Sequence, residues 1–476
     1  MAHEFKTTAT TALSRRRARP RRRVRRWLEH QLRIGPLRRK VIALAWPTIG
    51  EQILQTMLGI FNQMIVGRLG MVAVAGIGLA EQIVQFLTVA FAAFTVGTTA
   101  LVARCIGAGQ KDEAERATKQ SLLLVTALGL AMAALAYFGA DWGLRLMGGR
   151  PDIMPVALPY MRVVALSTLF MAISLVANGA MRGAGDTRTP LYIALFMNAI
   201  NIGLNYCLVF GLLGLPRLNA VGSAYASLTA RFIGAALGLL ALARGRTVLR
   251  VSFLRGWRPD TGIMRRVLTI GIPAAFEQLI QRSGMMAYTR IVTGLGTAAY
   301  AAHRIALNVE SMSYMPGMGF STAATTLVGQ GLGARKPKTA EAAGRETWLF
   351  AVYIMTLMGL VFFFFSRPLC GLFISSAPAV TALAALVLKV EAIAQPAQAT
   401  AMVMAGALRG AGDTFWTMIN VSVGIWCVRL PVAWLLARFT PLGLVGAWIA
   451  MTVDLWVRGG LMLRRFLTGR WKVIKV

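Results

Sequence analysis

Long apolar runs, each about the length of a bilayer crossing, recur along almost the whole chain. Nothing else in the sequence constrains the fold as strongly. A helix needs about 20 mostly apolar residues to cross the hydrocarbon core. Twelve segments qualify, at roughly 41–66, 80–104, 120–140, 158–181, 189–213, 221–243, 264–291, 305–330, 346–366, 380–407, 415–437 and 444–463. Every backbone amide in lipid must be bonded within the protein, so runs of this length are helices. The expected fold is an all-α integral membrane protein with twelve transmembrane helices. Composition agrees: 56% of the 476 residues are hydrophobic and 14% are charged, against about 25% charged in soluble domains. A net charge of +33 on a soluble chain would point to nucleic acid. Here the basic residues stand in short blocks between apolar runs, so no nucleic-acid partner is expected. Four cysteines and three histidines, scattered far apart, give neither a disulfide framework nor a zinc site. No HExxH, GxSxG or Walker sequence is present, so the chain reads as no enzyme and needs no cofactor. The basic first 40 residues are not followed by a cleavable signal peptide.

Basic residues in short loops set orientation. The N-terminal 40 residues, the even-numbered loops and the C-terminal segment together hold 37 of the 51 Lys and Arg residues. Both termini are therefore expected in the cytoplasm, with an even number of crossings of an inner (cytoplasmic) membrane. The run RRRARPRRRVRR at 15–26 reinforces that signal and is expected to lie on anionic lipid, at about 1 kcal/mol per residue.

The chain is also duplicated. PTIGEQILQ at 47–55 returns as PAAFEQLIQ at 273–281, an offset of 226. Leu69-Gly70, Leu101-Val102 and Gly107-Ala108 return at that offset, and RGAGDT at 182–187 recurs unchanged at 409–414. Six spans per half means that both halves insert the same way up. Such parallel repeats place a transporter's substrate site between two lobes near the bilayer midplane. The expected organisation is a basic tail at 1–40, an N-lobe at 41–243, an inter-lobe linker at 244–263, a C-lobe at 264–467 and a basic C-terminal tail at 468–476. In RGAGDT, glycine suits a left-handed helix end and Asp-Thr suits the next helix cap. A rival reading is a latch in which Arg182 and Arg409 pair with loop aspartates.

These residues resemble the multidrug and toxic compound extrusion (MATE) family. The likeness covers nearly everything after residue 40. It rests on NVESMSYMPGMGFSTAATTLVGQGLGA at 308–334, both Pro-x-x-x-Glu-Gln starts, both RGAGDT sequences and NAINIGLNYCLVFG at 198–211. The resemblance implies a V-shaped, two-lobe antiporter, expected to be monomeric. It would export organic, mostly cationic, compounds in exchange for sodium ions or protons. The rival function is a lipid-linked saccharide flippase of the same superfamily, which would want an arginine-rich cavity.

A charge at membrane depth costs at least about 2.5–3.5 kcal/mol, so each one is a functional candidate. Glu51 and Glu277 stand about 15 Å into the first and seventh spans, each four residues after a proline that frees a backbone carbonyl. Glu310 precedes Tyr314 in the eighth span. Spans seven and eight are expected to pack together, which would put Glu277 and Glu310 in one cavity, with a sodium ion expected near them. Glu391 neighbours Lys389, Asp454 and Arg458 should neutralise each other, and Arg162, Arg231 and Arg429 are expected to snorkel to an interface. Where many members of the resembled family have acids, this chain has the amides Asn62 and Asn205, with Asn201 beside them. Gln281 stands where other members carry the seventh-span acid, one turn beyond Glu277. Coupling is therefore expected in the C-lobe, with Glu51 as the N-lobe counterpart. Gln52, Gln278, Tyr314, Met285, Met312 and Phe276 are expected to line the cavity, and further methionines and Phe320 to add a soft wall.

Overall fold

A computed structural model describes residues 4–212, 214–245, 249–252, 257–373 and 377–474, with the side chains of 4–34 outside that set. The side chains of the arginine run at 15–26 thus lie outside the described residues, as do 246–248 and 253–256 of the expected linker. Twelve long helices follow one another: α1 Glu4–Gly67, α2 Met71–Gly107, α3 Lys111–Phe138, α4 Met154–Gly183, α5 Arg188–Phe210, α6 Asn219–Arg244, α7 Thr261–Thr293, α8 Thr297–Gly333, α9 Pro337–Phe364, α10 Pro378–Gly410, α11 Thr414–Phe439 and α12 Leu444–Leu467. Short helices at Ala140–Leu146 and Ser366–Gly371 cap α3 and α9. Among the described residues, nine helices are long and apolar enough to cross a membrane unaided. The three that fall short are α1, α7 and α8, which carry Glu51, Glu277 and Glu310. Polarity and candidate function coincide on these helices.

The halves do not separate where the sequence repeat divides. In the N-lobe, α4 packs on α2, α3 and α6, and α5 on α1 and α6; in the C-lobe, α10 packs on α8, α9 and α12. The first helix of each half reaches into the other. Val41, Leu44 and Ala45 of α1 are buried with Phe320, Met355 and Leu408 in the C-lobe core. Ile263 and Val267 of α7 are buried with Leu101, Ala117 and Met181 in the N-lobe core. The expectation that α7 and α8 pack on each other is corrected: α7 lies mainly on α2 and α11, and α8 on α10, α9, α1 and α2. Burying each half's first apolar stripe needs the other half.

The lobes close on each other at the end that carries most of the lysines and arginines, the basic end. Arg104 at the end of α2 donates to Ala411 O at 2.9 Å, and Gln330 at the end of α8 donates to Gly183 O at 3.1 Å. Positions 104 and 330 are related by the repeat offset. So are Gly107 and Gly333: a methyl at Gly107 would lie 2.1 Å from Gln330 O, and one at Gly333 would lie 2.0 Å from Arg104 O. Only glycine lets the two backbones approach this closely. Each half's RGAGDT turn is thus held by the far helix of the other half. Within both turns the second glycine is left-handed, Gly185 at φ +92° and Gly412 at φ +80°. Asp186 Oδ1 caps α5 by accepting from Arg188 N and Thr189 N, both at 3.0 Å. Asp413 instead pairs with Arg465 at 2.8 Å.

Candidate functional site

The two duplicated motifs meet each other. Arg182 of the first RGAGDT pairs with Glu51 of the first Pro-x-x-x-Glu-Gln, Nη2 to Oε1 at 2.5 Å. Arg409 pairs with Glu277 in the same way at 2.6 Å, and Thr417 donates to the other Glu277 oxygen at 2.8 Å. The proposed pairing of these arginines with loop aspartates is therefore corrected: their partners are the membrane-depth glutamates. Both carboxylates are almost wholly buried, Glu51 at 2% and Glu277 at 4% exposed. Each pair ties the start of a half to the end of its fourth helix. The link was open to inspection, since the two sequences recur together at nearly one offset.

A cavity of about 500 Å³ opens among α7, α8, α10, α11 and α12. Six of the expected residues line it: Glu277, Gln278, Gln281, Met285, Glu310 and Tyr314. Met312 and Phe276, expected there too, are not among its lining residues and are 51% and 52% exposed, because their helix faces turn away from it. Gln52 is half-buried on α1. Among the described residues Glu310 receives one bond, from Gln398 Nε2 to Oε1 at 3.3 Å, and its buried Oε2 has no partner. Glu391, fully buried on α10, is alike: Gln395 Nε2 reaches Oε1 at 3.3 Å and Oε2 has no partner among the described residues. These two carboxyls lie within electrostatic reach of each other and of Arg429. Arg282, Arg290 and Arg304, on α7 and α8, form no ion pair with Glu310 among the described residues.

Arg429 does not snorkel. It and Arg458 both meet Asp454 Oδ2 at 2.8 Å, so the expected Asp454–Arg458 pair is a trio. A π-helical turn at Val423–Arg429 inside α11 brings Arg429 to this point; such turns often mark functional positions. Its signal in sequence was faint.

A smaller cavity of about 280 Å³ lies in the N-lobe. Asn62 and Asn201 line it, together with Glu81, Tyr160, Ser227 and Arg231. Asn205 Nδ2 donates to Asn62 Oδ1 at 2.7 Å and Asn201 Nδ2 to Ser227 Oγ at 3.4 Å. Arg231 likewise faces inward, donating to Ser167 Oγ at 2.7 Å. Sequence reasoning passed over Glu81, whose place inside an apolar window was the available sign. Among the described residues no three His, Cys, Asp or Glu side chains gather to hold a metal ion.

A duplicated bundle of twelve long helices, with two lobes, a polar cavity and buried carboxylates at membrane depth, defines a multi-pass membrane transporter. The chain belongs to the MatE family, whose pattern matches residues 47–207 and 273–435, one stretch in each half. It is 33% identical over 441 residues to the probable multidrug resistance protein NorM of Thermotoga maritima, covering 92% of this chain and 94% of that one. It is 27% identical over 434 residues to the multidrug resistance protein PmpM of Pseudomonas aeruginosa, covering 90% and 91%. Among solved structures, MATE in the straight conformation matches with a TM-score of 0.84 at 22% identity, over 91% of this chain and 95% of that one. A mutant of the Vibrio cholerae MATE transporter VcmN matches at 0.85 and 21%, over 91% and 97%. These structural likenesses support the two-lobe helical fold.

Proposed function

We propose that this chain is a secondary-active multidrug exporter that exchanges organic compounds for sodium ions or protons across a cytoplasmic membrane. Its relatives' description as multidrug resistance proteins supports export, and the repeat supports alternating access around a central cavity. The observation that carries ion coupling is the pair of buried, half-satisfied carboxyls at Glu310 and Glu391. A carboxyl with an idle oxygen in a low-dielectric wall holds a proton or waits for a cation. Glu277 and Glu51 act differently: each is neutralised by an arginine and anchors its helix. Asn62, Asn201 and Asn205 contribute amide contacts to cargo in the N-lobe. The protein works as a monomer, with its basic end facing the cytoplasm and anionic lipid.

The test is dye efflux from proteoliposomes with a proton or a sodium gradient imposed separately. Glu310→Gln is expected to abolish gradient-driven efflux. Undiminished efflux in Glu310→Gln would place coupling elsewhere. A second reading, flipping of a lipid-linked saccharide, is favoured by the four arginines on the cavity wall; transfer of such a lipid without gradient-driven dye efflux would establish it instead.

A further inference from the structure

Four guanidiniums, those of Arg282, Arg409, Arg429 and Arg458, line the C-lobe cavity, against two carboxylates, Glu277 and Glu310. Their pairing leaves two guanidiniums and two carboxyls without an internal ion-pair partner among the described residues. Arg409 and Glu277 cancel. Arg429 and Arg458 share one aspartate, Asp454, which is 0% exposed. Among the described residues Arg282 meets an amide, donating to Gln85 Oε1 of α2 at 3.1 Å. The wall therefore carries two guanidinium charges beyond its internal pairs, opposed by Glu310 and, behind it, Glu391. Arg458 Nε has no acceptor among the described residues, in a residue that is 7% exposed. Cations at membrane depth are expensive unless something shares them. An idle guanidinium donor beside a cavity suits a carboxylate or sulfonate, which accepts charge-assisted hydrogen bonds. The rest of the wall is soft, with Met285, Met318 and Met402 able to take an apolar body.

We propose that Arg282, Arg429 and Arg458 form an anion subsite in the C-lobe cavity, taking the acidic group of an amphipathic zwitterion whose amine is received by Glu310. The inference deepens the exporter reading and rests on it for the direction of movement, though not for binding. It also reconciles a basic wall with exchange. The amine competes with the coupling ion for Glu310, whereas the acidic group supplies affinity that the ion cannot contest.

The test uses two dyes that differ by one carboxylate: dansylcadaverine, a cation, and Nε-dansyl-lysine, the zwitterion with the same fluorophore and chain. Binding to the purified full chain in phosphatidylcholine nanodiscs is read from dansyl fluorescence. Wild type is expected to bind dansyl-lysine about tenfold more tightly, the worth of one good charge-assisted contact. Arg282→Gln breaks no ion pair among the described residues, so it should fold. It should remove most of that preference, and Arg282→Glu should invert it. Equal affinities in wild type, or an unchanged preference in both variants, overturn the subsite. Gradient-driven export of dansylcadaverine alongside equal affinities would sink the subsite and leave the exporter reading standing. Tight, Arg282-dependent dansyl-lysine binding with no gradient-driven movement of either dye would do the reverse. Adding phosphatidylglycerol separates the sources of the anion. Its failure to displace dansyl-lysine supports a soluble zwitterion; displacement lost in Arg282→Gln assigns the arginines to lipid phosphate and overturns that cargo.

Discussion

At the residue scale, the repeated glutamate–arginine pair is the firmest element of the interior. Removing one partner of a buried pair strands the other and costs about 3–5 kcal/mol, whereas removing both costs much less. Glu277→Gln is therefore expected to lower the thermal unfolding midpoint in detergent sharply, because Arg409 loses its carboxylate. The double variant Glu277→Gln with Arg409→Gln should recover a good part of the loss. Strictly additive midpoints would show that the pair carries no coupling. The sequence marked Glu51, Glu277 and Glu310 as costly and hence purposeful, but it could not say which were already neutralised. That depends on which helix faces which, and the partners of Glu51 and Glu277 lie 131 and 132 residues away. Glu81, Arg231 and Arg429 were missed or misplaced for the same reason. Long side chains near a helix end can reach water or turn inward, and only packing decides.

At the element scale, α11 is the departure from a uniform bundle. Its π-helical turn contains Gly424, where a methyl would lie 2.3 Å from both Arg458 Cγ and Asp454 Oδ1. Gly424→Ala must push the arginine–aspartate trio aside, at about 1–3 kcal/mol. The expected result is a lower unfolding midpoint together with weaker dansyl-lysine binding; wild-type values for both would show that the trio has room to move. The helix ends at the basic end have their own consequence. Gly333→Val places a branched side chain where the Arg104 carbonyl sits 2.0 Å from a methyl position. It should hold the basic end open, read as faster labelling of the buried native Cys105 in a background without the other cysteines. Unchanged labelling would mean that the seam tolerates the added bulk. Helix number and type were legible because a bilayer permits few alternatives and apolar runs announce themselves. Helix ends were less so: α2 begins at Met71, nine residues before its expected start, since Met71 to Leu79 adds a polar-free stretch that the window had split off.

At the scale of the whole molecule, the two sequence halves are not the two packing units. With α1 contributing to the C-lobe core and α7 to the N-lobe core, neither half can bury its own first helix. Expressed alone, residues 1–250 or 251–476 should aggregate. Expressed together they should copurify as one complex that exports dye. A monodisperse, helical half on its own would show that the exchange of helices is dispensable. The duplication and its parallel sense were readable from the offset and the even span count. The crossing-over was not, because periodicity reports that a face is apolar without saying what covers it.

The reciprocal hold of each half on the other's turn has an ancestral meaning. A six-helix precursor could have formed the same seam as a homodimer, with one kind of clasp made twice. Symmetry would have forced both clasps to carry the same residue, so every change was made in duplicate. Once the genes were joined, positions 104 and 330 were free to part company, and they have done so: one clasp is an arginine, salt-sensitive and charged, and the other a neutral glutamine. Fusion thereby turned a symmetric lock into one with two different keys.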